Sequence, residues 1–149
     1  MNSGTTNPTF MPTLRQLIRC TQAFARFSGT HVKKMGLTVS QFDVIATLGN
    51  THGMTCKELG ERTLITKGTL TGVLDRMAAR GLISRAADAH DARRTHIALT
   101  RKGSVLFDDA FSAHMQHLQP VFDRIPATEL LSLHNHLADL RLAFDEASP

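Results

Sequence analysis

Apolar residues recur at helical spacing along most of the chain. Leu14, Leu17, Ile18, Phe24 and Ala25, with Thr21 and Ser28 on the same stripe, predict a first helix over about 13–35. Gly36 ends it, and Lys33 and Lys34 fall in its last turn, where cations suit the helix dipole. Short helices over about 38–50, 55–63 and 66–80 follow, and all three begin alike. Thr38 with Gln41 and Thr55 with Glu58 have the spacing of a capping box, in which each side chain pairs with the other residue's amide. Leu37 with Phe42, Met54 with Leu59 and Ile65 with Leu70 are placed as hydrophobic staples, and Thr66 is the expected N-cap of the third helix. Only Asn50 to Gly53 and Leu64–Ile65 link these helices. Short helices on tight turns suit a helix-turn-helix, whose second member is the reading helix.

After Gly81 the pattern changes to a strand (82–87), a charged loop (88–94) and a return strand (95–99), which together make a hairpin. Thr100 is the expected N-cap of a helix running towards Leu118, with Val105, Phe111, Met115 and Leu118 among its apolar positions. Pro120 is expected to kink or break it, because proline removes a backbone donor. Beyond Pro126 a last helix over about 127–145 carries Leu130, Leu133, Leu137, Leu140 and Phe144 three and four apart, a heptad-like seam. With Leu14 and Leu17, that is more apolar helix than one small DNA-reading core needs, so both ends are assigned to dimerisation. The fold class is mainly α with a small β-hairpin wing: a winged helix-turn-helix over 37–103, flanked by helical dimerisation segments over 13–36 and 104–146. Residues 1–12, rich in Asn, Ser, Gly, Thr and Pro, are expected to be disordered.

Composition narrows the partners. The 149 residues suit one domain, and 42% hydrophobic with 20% charged residues is ordinary for a soluble globular protein. No apolar run approaches the roughly 20 residues of a membrane span. The N-terminus lacks the layout of a secretion signal, so a cytoplasmic protein is expected. Cys20 and Cys56 are too few for a disulfide framework. The net charge is +4, and its distribution is more telling: residues 57–102 hold 10 Lys+Arg against 5 Asp+Glu, and the rest of the chain 7 against 8. A basic excess confined to the middle, beside a hairpin, points to double-stranded nucleic acid.

On the reading helix Leu70, Val73, Leu74 and Met77 make the buried face. The outward side carries Gly68, Gly72, Asp75 and Ala79, flanked by Thr69, Thr71 and Arg76. Two glycines inside a helix cost about 1 kcal/mol each against alanine. Because they face outward, they read as a surface kept low so that backbone and threonines approach a groove. Thr69 and Thr71 are placed to meet thymine methyls or base edges, and Lys67 and Arg76 to meet phosphate or guanine. At the hairpin tip Arg93 or Arg94 is the cation suited to a narrow minor groove. Asp91 repels DNA, so its role is to orient an arginine through a bidentate pair. Thr38, Ser40, Gln41 and Thr55 at the helix starts, Thr66 at the reading helix, and Arg85 on the hairpin complete the candidate DNA-binding residues.

The run Leu37-Thr38-Val39-Ser40-Gln41-Phe42, the helix end Leu74-Asp75-Arg76-Met77 with Arg80-Gly81-Leu82-Ile83, and the wing Asp91-Ala92-Arg93 with Leu99-Thr100 resemble the MarR (multiple antibiotic resistance regulator) family. The likeness extends over roughly 14–144, and the Asp-x-Arg wing followed by Leu-Thr is its most specific part. It implies a winged-helix homodimer, joined through its terminal helices, on pseudo-palindromic promoter DNA and often repressing. It further implies major-groove contacts from Thr66 to Arg76, and a minor-groove Arg93 partnered by Asp91. Release by small aromatic acids, phenols or oxidants, at the junction of the dimer and DNA-binding regions, is also implied. The chain departs from the family at Gly72, where many members carry arginine, so base readout shifts towards threonines and backbone. It has no Tyr or Trp, and Cys20 lies closer to Gly36-Leu37-Thr38 than the peroxide-sensing cysteine of that branch, which disfavours the peroxide sensor.

Other chemistry finds less support. His114 with His117, or His134 with His136, are the nearest histidine pairs, but a tetrahedral zinc centre needs a third ligand and usually a fourth. His31, Cys20 or acidic residues supply them only if the terminal helices converge; no metal and no cofactor are expected. Cys56 beside Lys57, at a helix start, is the better redox candidate. No G-x-S-x-G, phosphate-cradling glycine loop or histidine–carboxylate pair points to an enzyme. The alternatives are a metal- or thiol-redox-responsive regulator of the same fold, and a winged helix used for protein–protein contact. The last would not require Lys67, Arg93 and Arg94 on one surface.

Overall fold

The computed structural model describes residues 8–63 and 65–148. The disorder expected over 1–12 falls outside it for residues 1–7, as does the Leu64 half of the Leu64–Ile65 link. Met11 and Pro12, assigned above to that disordered segment, instead open the first helix, with Pro12 in its first turn. The order of elements is α1 (Met11–Lys34), α2 (Val39–Leu48), β1 (Met54–Thr55), α3 (Cys56–Arg62), α4 (Lys67–Ala79), β2 (Ile83–Ala87), β3 (Thr95–Leu99), α5 (Arg101–Phe122) and α6 (Ala127–Ala147).

Both capping boxes form. The Gln41 amide donates to Thr38 Oγ1 and the Thr38 amide to Gln41 Oε1, each at 3.1 Å. Glu58 and Thr55 repeat the pattern, and Thr55 Oγ1 also donates to Glu58 Oε2 at 2.9 Å. Those bonds, the Thr55 amide first and its hydroxyl second, hold the Glu58 carboxyl below its ordinary range. Thr66 occupies the N-cap of α4 without capping it; its hydroxyl donates to Thr69 Oγ1 at 3.0 Å. Thr100 caps α5 through the Gly103 amide (3.1 Å) and ties back to the Gly81 carbonyl.

The hairpin gains a third strand that the pattern did not predict. β1 pairs antiparallel with β3, Met54 opposite Ile97 and Thr55 opposite His96, giving the order β1-β3-β2. On the other side Ile83 lies opposite Leu99 and Ala87 opposite Thr95. Leu82 and Ile83 at the root of the hairpin are buried, while residues 84–87 are exposed, so the wing leaves the core as it lengthens.

The chain divides into two compact units, Met1–His114 and Met115–Pro149. In the first, Val32, Leu37, Val44, Ile45, Leu48, Leu59, Val73, Leu74, Met77, Leu82 and Ile97 are nearly inaccessible, and Phe107 and Ala110 of α5 close the same core. Burying each large aliphatic side chain contributes about 1.5–3 kcal/mol. Its polar seam is His114, 2% exposed, with Nε2 2.9 Å from Ser28 Oγ and Nδ1 3.0 Å from His31 Nδ1, and the Phe42 ring against its edge. In the second unit α5 continues two residues past Pro120 instead of breaking there. The proline is exposed near the helix end, where it costs one hydrogen bond and little packing. No residue of α6 is buried.

Candidate nucleic-acid interface

The face of α4 opposite the core is open. Leu70, Val73, Leu74 and Met77 point inward, while Lys67, Gly68, Thr69, Thr71, Asp75 and Arg76 are exposed and Gly72 is half-buried. A β-carbon on Gly68 would meet nothing within 4 Å, and one on Gly72 only the Arg76 guanidinium at 3.5 Å. Neither glycine is demanded by packing, and their effect is a shallow strip flanked by hydroxyls and cations. Asp75 pairs with Arg85 of β2, Oδ1 to Nη1 2.8 Å, which ties the reading helix to the hairpin.

The wing tip is organised by two aspartates. Asp88 Oδ1 accepts from the His90 (3.0 Å) and Asp91 (3.1 Å) amides, and the Asp88 amide donates to the Arg94 carbonyl. Asp91 Oδ1 accepts from the Arg93 amide (3.0 Å) and from Arg93 Nε (3.2 Å), and its Oδ2 lies 3.7 Å from Arg94 Nε. Asp91 therefore orients Arg93, but not through the two-oxygen fork expected: one oxygen holds both backbone and side chain, and the other faces Arg94. The Arg93 amide, then its guanidinium, hold the Asp91 carboxyl below its ordinary range. The amides of His90 and Asp91 do the same for Asp88. Arg93 itself remains 92% exposed.

The other candidates divide by burial. Ser40 is half-buried, and Thr38 and Thr66 are exposed. Gln41 and Thr55 are buried and their side chains are spent on the capping boxes; Gln41 Oε1 also accepts from Arg80 at 3.3 Å. Cys56 is half-buried at the wall of a cleft of about 500 Å³ between α3 and α4, lined also by Lys57, Gly60, Glu61, Lys67, Leu70 and Thr71. Leu14, Leu17, Leu130 and Leu140 are half-buried, whereas Leu133, Leu137 and Phe144 are exposed. Among the described residues no three potential ligands gather as a metal site, and no helix is long and apolar enough to cross a membrane. The residues that sequence reasoning missed are Asp88 and the Asp75–Arg85 pair. Asp88 carried a local signal, the Asx-turn spacing to residues 90 and 91; the pair bridges ten positions across two elements and left none.

Residues 35–94 match the model described as "MarR family". The chain is similar to the homoprotocatechuate degradative operon repressor of Escherichia coli, 31% identical over 94 residues that cover 63% of this chain and 64% of that protein. In structure it resembles a mutant MarR from E. coli complexed with operator DNA, at TM-score 0.77 and 22% identity, covering 90% of this chain and 99% of that one. It also resembles BpsR of Bordetella bronchiseptica, whose DNA binding is regulated by 6-hydroxynicotinic acid, at TM-score 0.76 and 21% identity, covering 95% and 97%.

Proposed function

We propose that the chain is a member of the MarR family of winged-helix regulators, a reading supported by its likeness to that family's model over residues 35–94 and to the E. coli operon repressor, and that it is a homodimeric transcriptional repressor that leaves promoter DNA when a small molecule binds. One observation carries the reading: the open, glycine-lowered face of α4 is followed by a wing whose Arg93 is held outward on Asp91. Thr66, Lys67, Thr69, Thr71 and Arg76 serve the major groove, with the backbone at Gly68 and Gly72 approaching closely. Arg93 enters the minor groove, and Thr38, Ser40, Arg85 and Arg94 support the phosphate contacts. The segment 37–103 reads DNA, and 13–36 with 104–146 dimerise.

Repression is supported by the naming of the E. coli relative as an operon repressor. A small aromatic or phenolic effector is supported by what BpsR responds to. The protein is taken to be cytoplasmic and without catalytic activity, as its relatives are regulators. The test is selection of bound duplexes from a random-sequence pool, followed by affinity measurement against salt. The parent should recover a pseudo-palindrome, with a log–log salt slope of about −0.9 per phosphate contact. Arg93→Ala should weaken binding without lowering stability; equal affinity for parent and variant would remove the wing from the interface.

Cys56 at the cleft between α3 and α4 favours thiol oxidation as a second mode of release. A Cys56→Ser protein that still loses DNA binding under mild oxidant would eliminate it.

A further inference from the structure

Asp88 closes the wing tip with its amide and Oδ1, which leaves Oδ2 for another partner. That oxygen faces Nδ1 of His96 at 3.7 Å. The other ring nitrogen, Nε2, lies 3.0 Å from the carbonyl of His52, in the turn before β1. A carbonyl only accepts, so Nε2 must carry a proton in either charge state of the ring. The tautomer is thereby fixed: in the neutral ring Nδ1 is a lone pair directed at a carboxylate, and in the imidazolium it is an N–H aimed at Oδ2. Gly53, at φ +92°, sits so close that a β-carbon there would press on Nε2 and on the Ile97 carbonyl, so the ring lies in a fitted slot.

One carboxylate faces the ring, and charges of both signs lie beyond it: Arg93 and Arg94 pair with Asp91 at the tip, and Arg62 acts on Glu58. The ring's cross-strand neighbours, Thr55 on β1 and Ala86 on β2, are uncharged. Asp88 faces it directly, and Glu58 of α3 and Asp91 of the tip lie close enough to feel the charge of Asp88. His90 of the tip acts on Asp88 as well, and the turn supplies His52. Backbone amides hold all three carboxyls below their ordinary range, so they remain ionised while a histidine changes charge.

We propose that His96 is a pH-sensitive positioning residue for the wing: its imidazolium, held between the His52 carbonyl and Asp88, fixes the tip that carries Arg93, and DNA is bound more tightly as the pH falls. This rests on the DNA-binding reading above and extends it. The test is affinity for the selected duplex at constant salt between about pH 8 and about pH 5, the range in which histidine titrates. The parent should gain about threefold, the scale of a partly exposed ion pair. Asp88→Asn keeps an oxygen for the two amide bonds but loses the charge, and His96→Gln cannot titrate; both should flatten the profile. His90→Gln and His52→Gln should keep it, since His52 contributes only its backbone. A pH-independent parent, or an undiminished gain in both Asp88→Asn and His96→Gln, overturns the proposal. Nitrogen NMR of the free protein at about pH 8 supplies an arm independent of DNA: the neutral His96 ring should show a protonated Nε2 and a bare Nδ1, and the opposite tautomer overturns it. A protein that binds no duplex at any pH overturns the DNA-binding reading and this one with it; the ring tautomer tells the two failures apart.

Discussion

The helices α4 and α6 carry the same kind of sequence signature and end in opposite states. α4 spends 13 residues and buries Leu70, Val73, Leu74 and Met77 in its own chain. α6 has 21 residues with leucines three and four apart, and buries none; Leu133, Leu137 and Phe144 stay between 44% and 57% exposed. Periodicity says that a face needs cover, and says nothing of which molecule supplies it. For α4 the cover is α2 and the hairpin root. For α6 a second copy of the chain is the cover proposed, because apolar stripes of this kind are the seams on which helices of separate chains meet.

The widest gap between the two helices should appear on truncating an apolar residue in each. Met77→Ala removes a fully buried side chain and should cost about 2–5 kcal/mol of unfolding free energy. A shift below about 1 kcal/mol in a denaturant titration would mean that the α4 face is not packed as described. Leu137→Asp should act on assembly instead, giving monomer on sizing at concentrations where the parent is a dimer. Should that variant unfold, the parent still decides the matter: its midpoint should rise with protein concentration if dimerisation is linked to folding. A dimer unchanged by Leu137→Asp would refute the seam on α6.

A smaller effect sharpens the contrast within α4 itself, between its packed and open faces. Gly68→Ala places a methyl where nothing lies within 4 Å and restores helix propensity. Stability should rise, by less than the roughly 1 kcal/mol of a helix interior because Gly68 lies in the first turn of α4, while affinity for the selected duplex should fall because the strip is no longer low. If stability and affinity rose together, the outward glycines would not be serving approach to a groove.

What the sequence made legible was local. The helix starts at Thr38 and Thr55, the inward stripe of α4, the strand Thr95–Leu99 and the pairing of Asp91 with Arg93 each depend on residues within a few positions of one another. β1 was hidden because two residues show no alternation, and Met54 and Thr55 already had roles as staple and cap. Contacts between elements were equally invisible: His114 meets Ser28 and His31 across more than 80 positions, and Arg85 meets Asp75 from a different element. Pro120 does not break α5, which runs on to Phe122: the ring removes one backbone donor, and a single lost bond leaves the helix continuous. In the candidate site, Gln41 and Thr55 lay at the right spacing for the interface, but the same side chains were the ones their helices used as caps.

Caps supply the smallest and last distinction between these regions. Neither α4 nor α6 has a side-chain cap, so packing or assembly must hold both, whereas α3 is fixed at its start by Thr55 and Glu58. Glu58 titrates below its ordinary 4.5, because the Thr55 amide and hydroxyl donate to its carboxylate. A carboxyl depressed in the folded state binds fewer protons there than in the unfolded chain. It therefore contributes stability that is present above 4.5 and is lost as the pH falls through the folded value. Glu58→Gln keeps an acceptor for the Thr55 donors and cannot titrate. Parent and variant should consequently differ most at neutral pH and converge in acid, with the variant showing the shallower acid limb in unfolding titrations. Parallel acid limbs would show that the box is held by geometry alone, and that its charge contributes nothing to holding α3 in place beneath α4.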